Sequence, residues 1–264
     1  MLNYGLKDRV VFVTGAGSGI GRATALLAAA DGARVVVAGL TQESADTVVE
    51  EIRSAGGQAL GVAFDVRDSA ATEDAVARAE ASLGAIDGFV GSAGVGGPAP
   101  AETMSDETWN MVIDTNLTGL FNSIRSVGRR MVARQRGSIV AIGSSSALGG
   151  TMLRAHYSAS KHGVIGMVRA LAIEWGPRGV RVNCVSPGPV DTPLLRRHWS
   201  QERIDRVWLN RIPLKRLSSA EDQARGCLFM LSDASSYITG SVLPVNGGLS
   251  AGYSTNLSEM DASS

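Results

Sequence analysis

The sequence predicts a doubly wound α/β sheet. Strand-like and helix-like segments alternate along the chain, the strand-like ones are apolar throughout and not at every second residue, and a glycine-rich turn follows the first of them. Branched apolar runs at residues 10–13, 35–37, 61–64, 86–90, 139–142, 180–185 and 242–245 give about seven strands of one parallel sheet, buried on both faces. Between them, residues 21–30, 43–54, 70–83, 108–133 and 157–175 are long enough to be crossover helices covering the two faces. From 187 to 219 the rhythm breaks: prolines, two tryptophans and many arginines replace any strand pattern, which reads as a lid at about 189–218 before the last helix. No repeat or low-complexity linker divides the chain. Residues 1–250 therefore read as a single domain, with a polar tail, 251–264, that is expected to fray.

Composition narrows the partners. The 264 residues are 44% hydrophobic and 19% charged, which is globular and supports a substantial core. Twenty-five basic residues balance 25 acidic ones without a block of either sign, which argues against nucleic acid and a polybasic membrane patch and leaves small molecules or copies of the chain itself. The amino terminus has no charged-then-apolar leader pattern, and no apolar run approaches the roughly 18 to 20 residues of a membrane span, so a cytoplasmic, reducing setting is expected. Cys184 and Cys227 sit in apolar and helical runs outside any CxxC spacing and read as packing residues. The three histidines form no ligand cluster, and no metal is expected.

After the first strand comes Thr14-Gly15-Ala16-Gly17-Ser18-Gly19-Ile20-Gly21, then the helix-forming run RATALLAAA. Glycines at such a turn let backbone approach a pyrophosphate, while the free N–H groups and dipole of the helix start favour negative charge. The spacing is not GxGxxG: Gly15 is followed by three residues, Gly19, one residue and Gly21. A tight strand-to-helix connection would carry the same glycines.

Tyr157 and Lys161 in AHYSASK are four apart on a helical run, so they share a face. A free phenol titrates near 10 and is a poor base at neutral pH; an adjacent ammonium favours the phenolate and makes such a pair usable for proton transfer. Alone, the pair could be surface decoration. Upstream, the strand-like GSIVAIG ends in Ser144-Ser145-Ser146 at the carboxyl edge of the sheet, where open α/β folds bind ligands. Asn116 lies within a long helical run, where an Asn can bond backbone and kink the helix. SPGPVDT places a Pro-Gly turn at the carboxyl end of the strand VRVNCV.

The TGxxxGxG spacing with YxxxK far downstream resembles the short-chain dehydrogenase/reductase family over nearly the whole chain. The resemblance implies a Rossmann-type fold and an NAD(P)-dependent oxidoreductase that moves a hydride between nicotinamide C4 and a ketone or secondary alcohol carbon. Tyr157 would be the proton donor and acceptor, and Lys161 would favour the phenolate and bind the nicotinamide ribose. Ser144, thirteen residues before the tyrosine, would orient the substrate oxygen, with Ser145 as the alternative; Asn116 would hold a water near the lysine for proton relay. For the cofactor, the resemblance implies contacts from Gly15, Ser18, Gly19 and Ile20, from Gly39, Leu40 and Thr41 after the second strand, from Asp65 and Val66 at the adenine, from Ser92, Ala93 and Gly94, and from Tyr157 and Lys161. Pro187, Gly188, Val190 and Thr192 would lie under the nicotinamide. It also implies a homotetramer, or a homodimer, built through the helices at 108–133 and 157–175.

Two departures from the family pattern stand out. Gly91-Ser92-Ala93-Gly94 replaces Asn-Asn-Ala-Gly, which predicts some repacking without lost activity. Twenty residues past Gly19, where an acid normally grips the adenosine ribose, stands Gly39, and neither Ser18, Leu40 nor Thr41 supplies a cation for a 2′-phosphate. Desolvating a dianion without a cation costs more than desolvating a diol without a carboxylate, which favours NAD(H) over NADP(H).

The lid combines Leu194, Leu195, Trp199, Val207 and Trp208 with seven basic residues. It reads as a solvated amphipathic cover with its aromatics inward and His198 as packing, in preference to an arginine cover for an anionic substrate. Two rival functions remain at this point: a silent dinucleotide sensor, and a 3-oxoacyl thioester reductase whose lid meets an acidic carrier.

Overall fold

The apolar runs pair into one seven-stranded parallel sheet in the computed structural model of the protein, which describes residues 3–252. The strands are β1 (Val10–Thr14), β2 (Arg34–Gly39), β3 (Gln58–Ala63), β4 (Ile86–Gly91), β5 (Gly137–Ile142), β6 (Val180–Pro187) and β7 (Val242–Val245). Their order is β3-β2-β1-β4-β5-β6-β7, so the winding reverses between β1 and β4 and opens a crevice at the carboxyl ends of those strands.

Successive residues of a strand face opposite sides, and β1 shows how both sides are filled. Val10 and Phe12 pack into one core with Val76 of α3 (Ser69–Leu83), Ile124 and Val127 of α5 (Gly119–Arg134), and Val164 and Val168 of α6 (Ala155–Trp175). Val11 and Val13 pack into the other with Ala25 and Ala28 of α1 (Gly19–Ala30), Val48 and Ile52 of α2 (Gln42–Ser54), and Cys227 and Leu228 of α9 (Ala220–Leu231). The helix starts carry their own signals. Thr41 accepts from the Ser44 N–H at α2, Asp68 accepts from Ala70 and Ala71 at α3, and Ser219 and Asp222 form a capping box at α9.

The structure corrects two expected boundaries. β3 begins at Gln58 and not at residue 61, because β2 offers partners from Arg34 onward and pairing is continuous from Arg34↔Gln58 to Gly39↔Ala63. The helix expected over 108–133 is two helices, α4 (Asp106–Ile113) and α5, joined by a π turn over Asp114–Thr118 that has Asn116 at its centre. At Gly91, Leu120 and Phe89 occupy the space in which a Cβ would stand.

The lid contains α7 (Pro193–Arg196), α8 (Gln201–Ile204) and a π turn at Asp205–Leu209, and its base is pinned by a bridge between Val190 and Ser218. Of the tail expected over 251–264, residues 253–264 lie outside the described residues. Among the described residues no helix is long and apolar enough to cross a membrane.

The α3–α5 contact holds a charge network. Glu73 accepts from Ser126 at 2.6 Å and pairs with Arg130 at 2.6 Å and with Arg129. Arg130, first among these partners, holds the Glu73 carboxyl down at about 2 against an ordinary 4.5. A carboxylate depressed on folding adds stability that is complete above its unfolded value and disappears as pH falls through its folded one. Glu73→Gln is expected to lower the urea midpoint near neutral pH, with the deficit shrinking below 4.5 and gone near 2. Parallel unfolding curves across that range check it; a deficit independent of pH would place the loss in packing.

Cys184 and Cys227 are both free and buried. Burial pushes the Cys184 thiol up to about 11 and the Cys227 thiol up to about 12. Because the thiolate is the reactive form, both are expected to resist an aromatic disulfide reagent at about pH 8 in the native protein and to react once denatured. Rapid native labelling of either would contradict its packing role.

Candidate active site

The crevice is a cleft of about 400 Å³ at the carboxyl ends of β1, β4, β5 and β6. Its floor begins with the glycine turn. Gly15 has φ +64°, and a Cβ there would stand 2.7 Å from Ala93 N and 2.8 Å from Ser92 C, so glycine alone lets β1's turn lie against the strand after it. Thr14 Oγ1 accepts from the Ser92 N–H at 3.2 Å and fastens the same two segments. Gly19 also has φ +53° and opens α1; Ser18, its N-cap, makes no side-chain cap bond. The first N–H groups of α1 are thus free to meet a ligand, and Gly15, Ser18, Gly19 and Ile20 all line the cleft.

The far wall is made by the first turns of α6. Lys161 is 5% exposed, and its ammonium donates to Ile142 O at 2.8 Å while lying 5.7 Å from the centre of the Tyr157 ring. One of three ammonium donors is thereby used, and the Nζ is held at β5's end facing the phenol. Ser144 is buried at the same strand end, and its Oγ accepts from the Ser146 N–H at 3.1 Å, which leaves the hydroxyl proton for the cleft. Ser145 lines the cleft beside it.

Asn116 sits behind this wall. Its Oδ1 accepts from the Val95 N–H at 2.8 Å, and its Nδ2 donates to Val95 O at 2.9 Å and to Ser160 Oγ at 3.3 Å. The π turn is what aims this side chain at the strand β4 exit, the structural outcome of an Asn that bonds backbone from within a helix. Ser160 in turn donates to Tyr157 O at 2.8 Å, so the network ends one residue turn from the phenol.

Ser92, Ala93, Gly94, Pro187, Gly188, Val190 and Thr192 complete the lining expected for a cofactor. Gly39, Leu40, Thr41, Asp65, Val66 and Asn116 are outside that lining: the first five follow or end β2 and β3, on the same sheet edge. A Cβ on Gly39 would come within 2.6 Å of Ser44 Oγ and 3.0 Å of Thr41 O, so a side chain here would need the start of α2 to give way. Arg67 pairs with Asp65 at 2.5 Å and, through that hydrogen bond, holds its carboxyl below the usual range.

The lid closes the cleft with Leu194, Leu195, His198, Trp199 and Trp208; the two indoles stand 5.4 Å apart, tilted by 58°. His198 Nε2 lies 3.2 Å from Gly96 O and joins the lid to the opposite loop. Sequence reasoning missed that loop, Gly96 to Pro98, and the segment Thr151 to Arg154, because neither has a periodic pattern that would mark it as a wall.

A family model described as enoyl-(acyl carrier protein) reductase matches residues 15–250. The chain is 38% identical to a 3-oxoacyl-[acyl-carrier-protein] reductase of Thermotoga maritima, over 92% of this chain and 98% of that one. It is also 38% identical to the D-threitol dehydrogenase of Mycolicibacterium smegmatis, over 93% and 94%. A solved structure described as a putative NAD(P) dependent gluconate 5-dehydrogenase from Beutenbergia cavernae, with bound NADP at low occupancy, superposes with a TM-score of 0.89 at 40% identity, covering 95% of this chain and all of that one. Similarity of this degree along almost the full length carries fold and reaction class together, and the chain belongs to the short-chain dehydrogenase/reductase family, as an NAD(P)(H)-dependent oxidoreductase of hydroxyl and keto groups.

Proposed function

We propose that Tyr157 exchanges the proton, and that Ser144, Lys161 and Asn116 serve it, in the interconversion of a ketone and a secondary alcohol. The observation that supports this most directly is the buried Lys161 ammonium fixed on Ile142 O and facing the Tyr157 ring inside the cleft. The glycine cradle fits a dinucleotide: positive φ at Gly15 and Gly19, and uncapped N–H groups at α1, suit a pyrophosphate. Gly15, Ser18, Gly19 and Ile20 would hold the phosphates, Ser92 to Gly94 the segment beyond, Asp65 and Val66 the adenine, and Pro187, Gly188, Val190 and Thr192 the nicotinamide. When bound, the nicotinamide supplies or accepts the hydride at C4.

In the reductive direction the Ser144 hydroxyl donates to the carbonyl oxygen and stabilises the charge that grows on it. Tyr157 O–H delivers its proton to that oxygen, so the new C–H and O–H bonds account for one hydride and one proton. Lys161 offsets the negative charge left on the phenol oxygen. Asn116, through Val95 and Ser160, keeps the lysine side of the site open to a relay water. Oxidation runs the same steps backward.

NAD(H) is the proposed preference. Leu40 is 72% exposed, Thr41 Oγ1 is engaged by the Ser44 N–H, and Arg22, the cation of α1, is paired with Glu51, so none of the three offers a charge to a 2′-phosphate. NADP is the ligand of the Beutenbergia protein, which makes the comparison worth measuring. A homotetramer is proposed from the exposed apolar residues Trp109 and Met111 on α4, Phe121 on α5 and Ile173 on α6, the helices expected to meet their symmetry mates. Free Cys184 and Cys227 support a reducing cytoplasm.

The test is a screen of ketones, secondary alcohols and 3-oxoacyl thioesters, following nicotinamide absorbance with NAD(H) and NADP(H) in parallel. Turnover of simple ketones and alcohols with NAD(H) ahead is expected. Exclusive turnover of thioesters would move the substrate toward that of the Thermotoga reductase. Tight cofactor binding without turnover on any class would favour the sensor.

A further inference from the structure

Several of the basic residues of the lid already have partners. Arg196 forms a two-pronged pair with Asp191 at 2.6 and 2.8 Å, and Arg216 pairs with Asp222 at 2.6 Å. Arg203 stacks on Trp199 at 5.3 Å at the exposed mouth. Arg197, Arg206 and Arg211 have no such partner but are exposed to solvent; the half-buried cation of the cleft wall without an ion pair lies outside the lid. Arg154, the residue just ahead of α6, is half-buried in the cleft wall with its guanidinium 5.5 Å from the centre of the Tyr157 ring. Its backbone N–H is used, donating to Thr151 O at 3.2 Å, but among the described residues its side chain enters no ion pair and finds no hydrogen-bond acceptor.

We infer that Arg154 is a carboxylate-binding, specificity-determining residue of this cleft, and that the substrate is an oxo or hydroxy acid whose carboxylate lies a few bonds from the reacting carbon. The inference rests on the hydride-transfer reading above and adds the substrate class to it. Three observations lead there. The residues lining the cleft include the cations Arg154, Lys161 and Arg203 and no Asp or Glu, so no side chain of the lining balances Arg154 and a ligand carboxylate can do so. Gly96 lets the guanidinium lie beside the phenol ring: a Cβ there would stand 2.9 Å from Tyr157 Cδ2 and 3.3 Å from Arg154 Nη1 and would crowd both groups. Finally, Pro98 and the adjacent Met152 and Leu153 line the same cleft with side chains that cannot bind a carboxylate, so the guanidinium is what Arg154's stretch of wall offers one.

Burial pulls the Arg154 guanidinium below its usual value, and a charged Tyr157 oxygen opposes that. Even so it remains a cation at any working pH. Burial also lowers the neighbouring His156, with Arg154 as the second cause, so the group next in the chain adds no anion. A planar guanidinium takes a carboxylate with two parallel N–H···O bonds, which fixes orientation as well as position. With the carboxylate on Arg154 and the carbonyl oxygen between Ser144 and Tyr157, one face of the carbonyl carbon is turned toward the nicotinamide side of the cleft.

The experiment compares 2-, 3- and 4-oxopentanoate with their methyl esters, and the matching hydroxy acids with theirs, in the intact protein and in Arg154→Leu and Arg154→Lys. We expect kcat/KM to favour at least one acid over its ester by tenfold or more in the unaltered enzyme. Arg154→Leu should bring that ratio near one, and Arg154→Lys should restore part of it. An equal loss on acid and ester in Arg154→Leu, or no preference in the unaltered enzyme, overturns the subsite and leaves hydride transfer standing. Binding of the same acids is read separately, with NAD(H) saturating, by quenching of tryptophan fluorescence, since Trp199 and Trp208 line the cleft. Saturable quenching that Arg154→Leu abolishes, without turnover of any acid or ketone, keeps the subsite and removes the proposed reaction. Absence of saturable quenching by every acid, together with absence of acid preference, removes the subsite.

Discussion

Tyr157→Phe is expected to lower kcat by about three orders of magnitude, within the range general acid–base groups supply, and to leave the NAD(H) dissociation constant within about twofold. The substitution is a clean one in this cleft. The contacts that hold the residue do not use its hydroxyl: Gly96 lies against the ring edge, Arg154 and Lys161 approach the ring from 5.5 and 5.7 Å, and the backbone oxygen holds Ser160. Phenylalanine keeps all of these and removes the oxygen alone. Loss of a group used only in the transition state lowers kcat and kcat/KM together, with little change in KM. Steady-state kinetics on the best substrate of the screen, paired with a cofactor titration, reads both quantities. A variant that kept more than a tenth of kcat would place the proton donor elsewhere, and Ser144 would be the next hydroxyl to remove.

How much of this was legible beforehand follows from which signals are periodic. The strands of the core were readable because burial on both faces makes them continuous apolar runs, and each of the seven proposed runs overlaps one strand of the observed sheet. Tyr157, Lys161 and Ser144 were readable because helix and strand geometry turn a spacing into a shared wall. The rest depended on contacts between segments distant in the chain. An Asn within a helical run allowed for a kink at Asn116, but the partners of its side chain, both backbone polar atoms of Val95, lie 21 residues away, where no local pattern points. Gly39 reads in sequence as a missing acid; in three dimensions even a Cβ there would meet Ser44 Oγ. Arg154 carried no signal at all, since an arginine in an irregular segment before a helix is ordinarily solvated, and only the loop at Gly96 folding over it gives it a place beside Tyr157.

Gly15→Ala is expected to weaken cofactor binding by about two orders of magnitude, from two additive physical causes. The first is conformational: φ of +64° suits glycine and costs an alanine on the order of 1 kcal/mol or more. The second is steric, and it is the larger. The new methyl would stand 2.7 Å from Ala93 N and 2.8 Å from Ser92 C, both backbone atoms that cannot swing aside as a side chain would. Ser92 is also fastened to Thr14 Oγ1, and Ala16 N–H is bound to Ala38 O at 2.9 Å, so the turn is anchored on both flanks. Relief must come from moving the turn away from Ala93, and that is the direction that carries the first N–H groups of α1 off the phosphate position. Because the clash sits at a cleft wall and not in either apolar core, the thermal midpoint without cofactor should fall by only a few degrees, while the rise in midpoint that saturating NAD(H) gives the unaltered protein should nearly vanish. Titration by fluorescence and paired melting curves separate the two effects. Retained cofactor affinity in Gly15→Ala would mean that the turn does not hold the pyrophosphate, and the assignment of Ser18, Gly19 and Ile20 would fall with it.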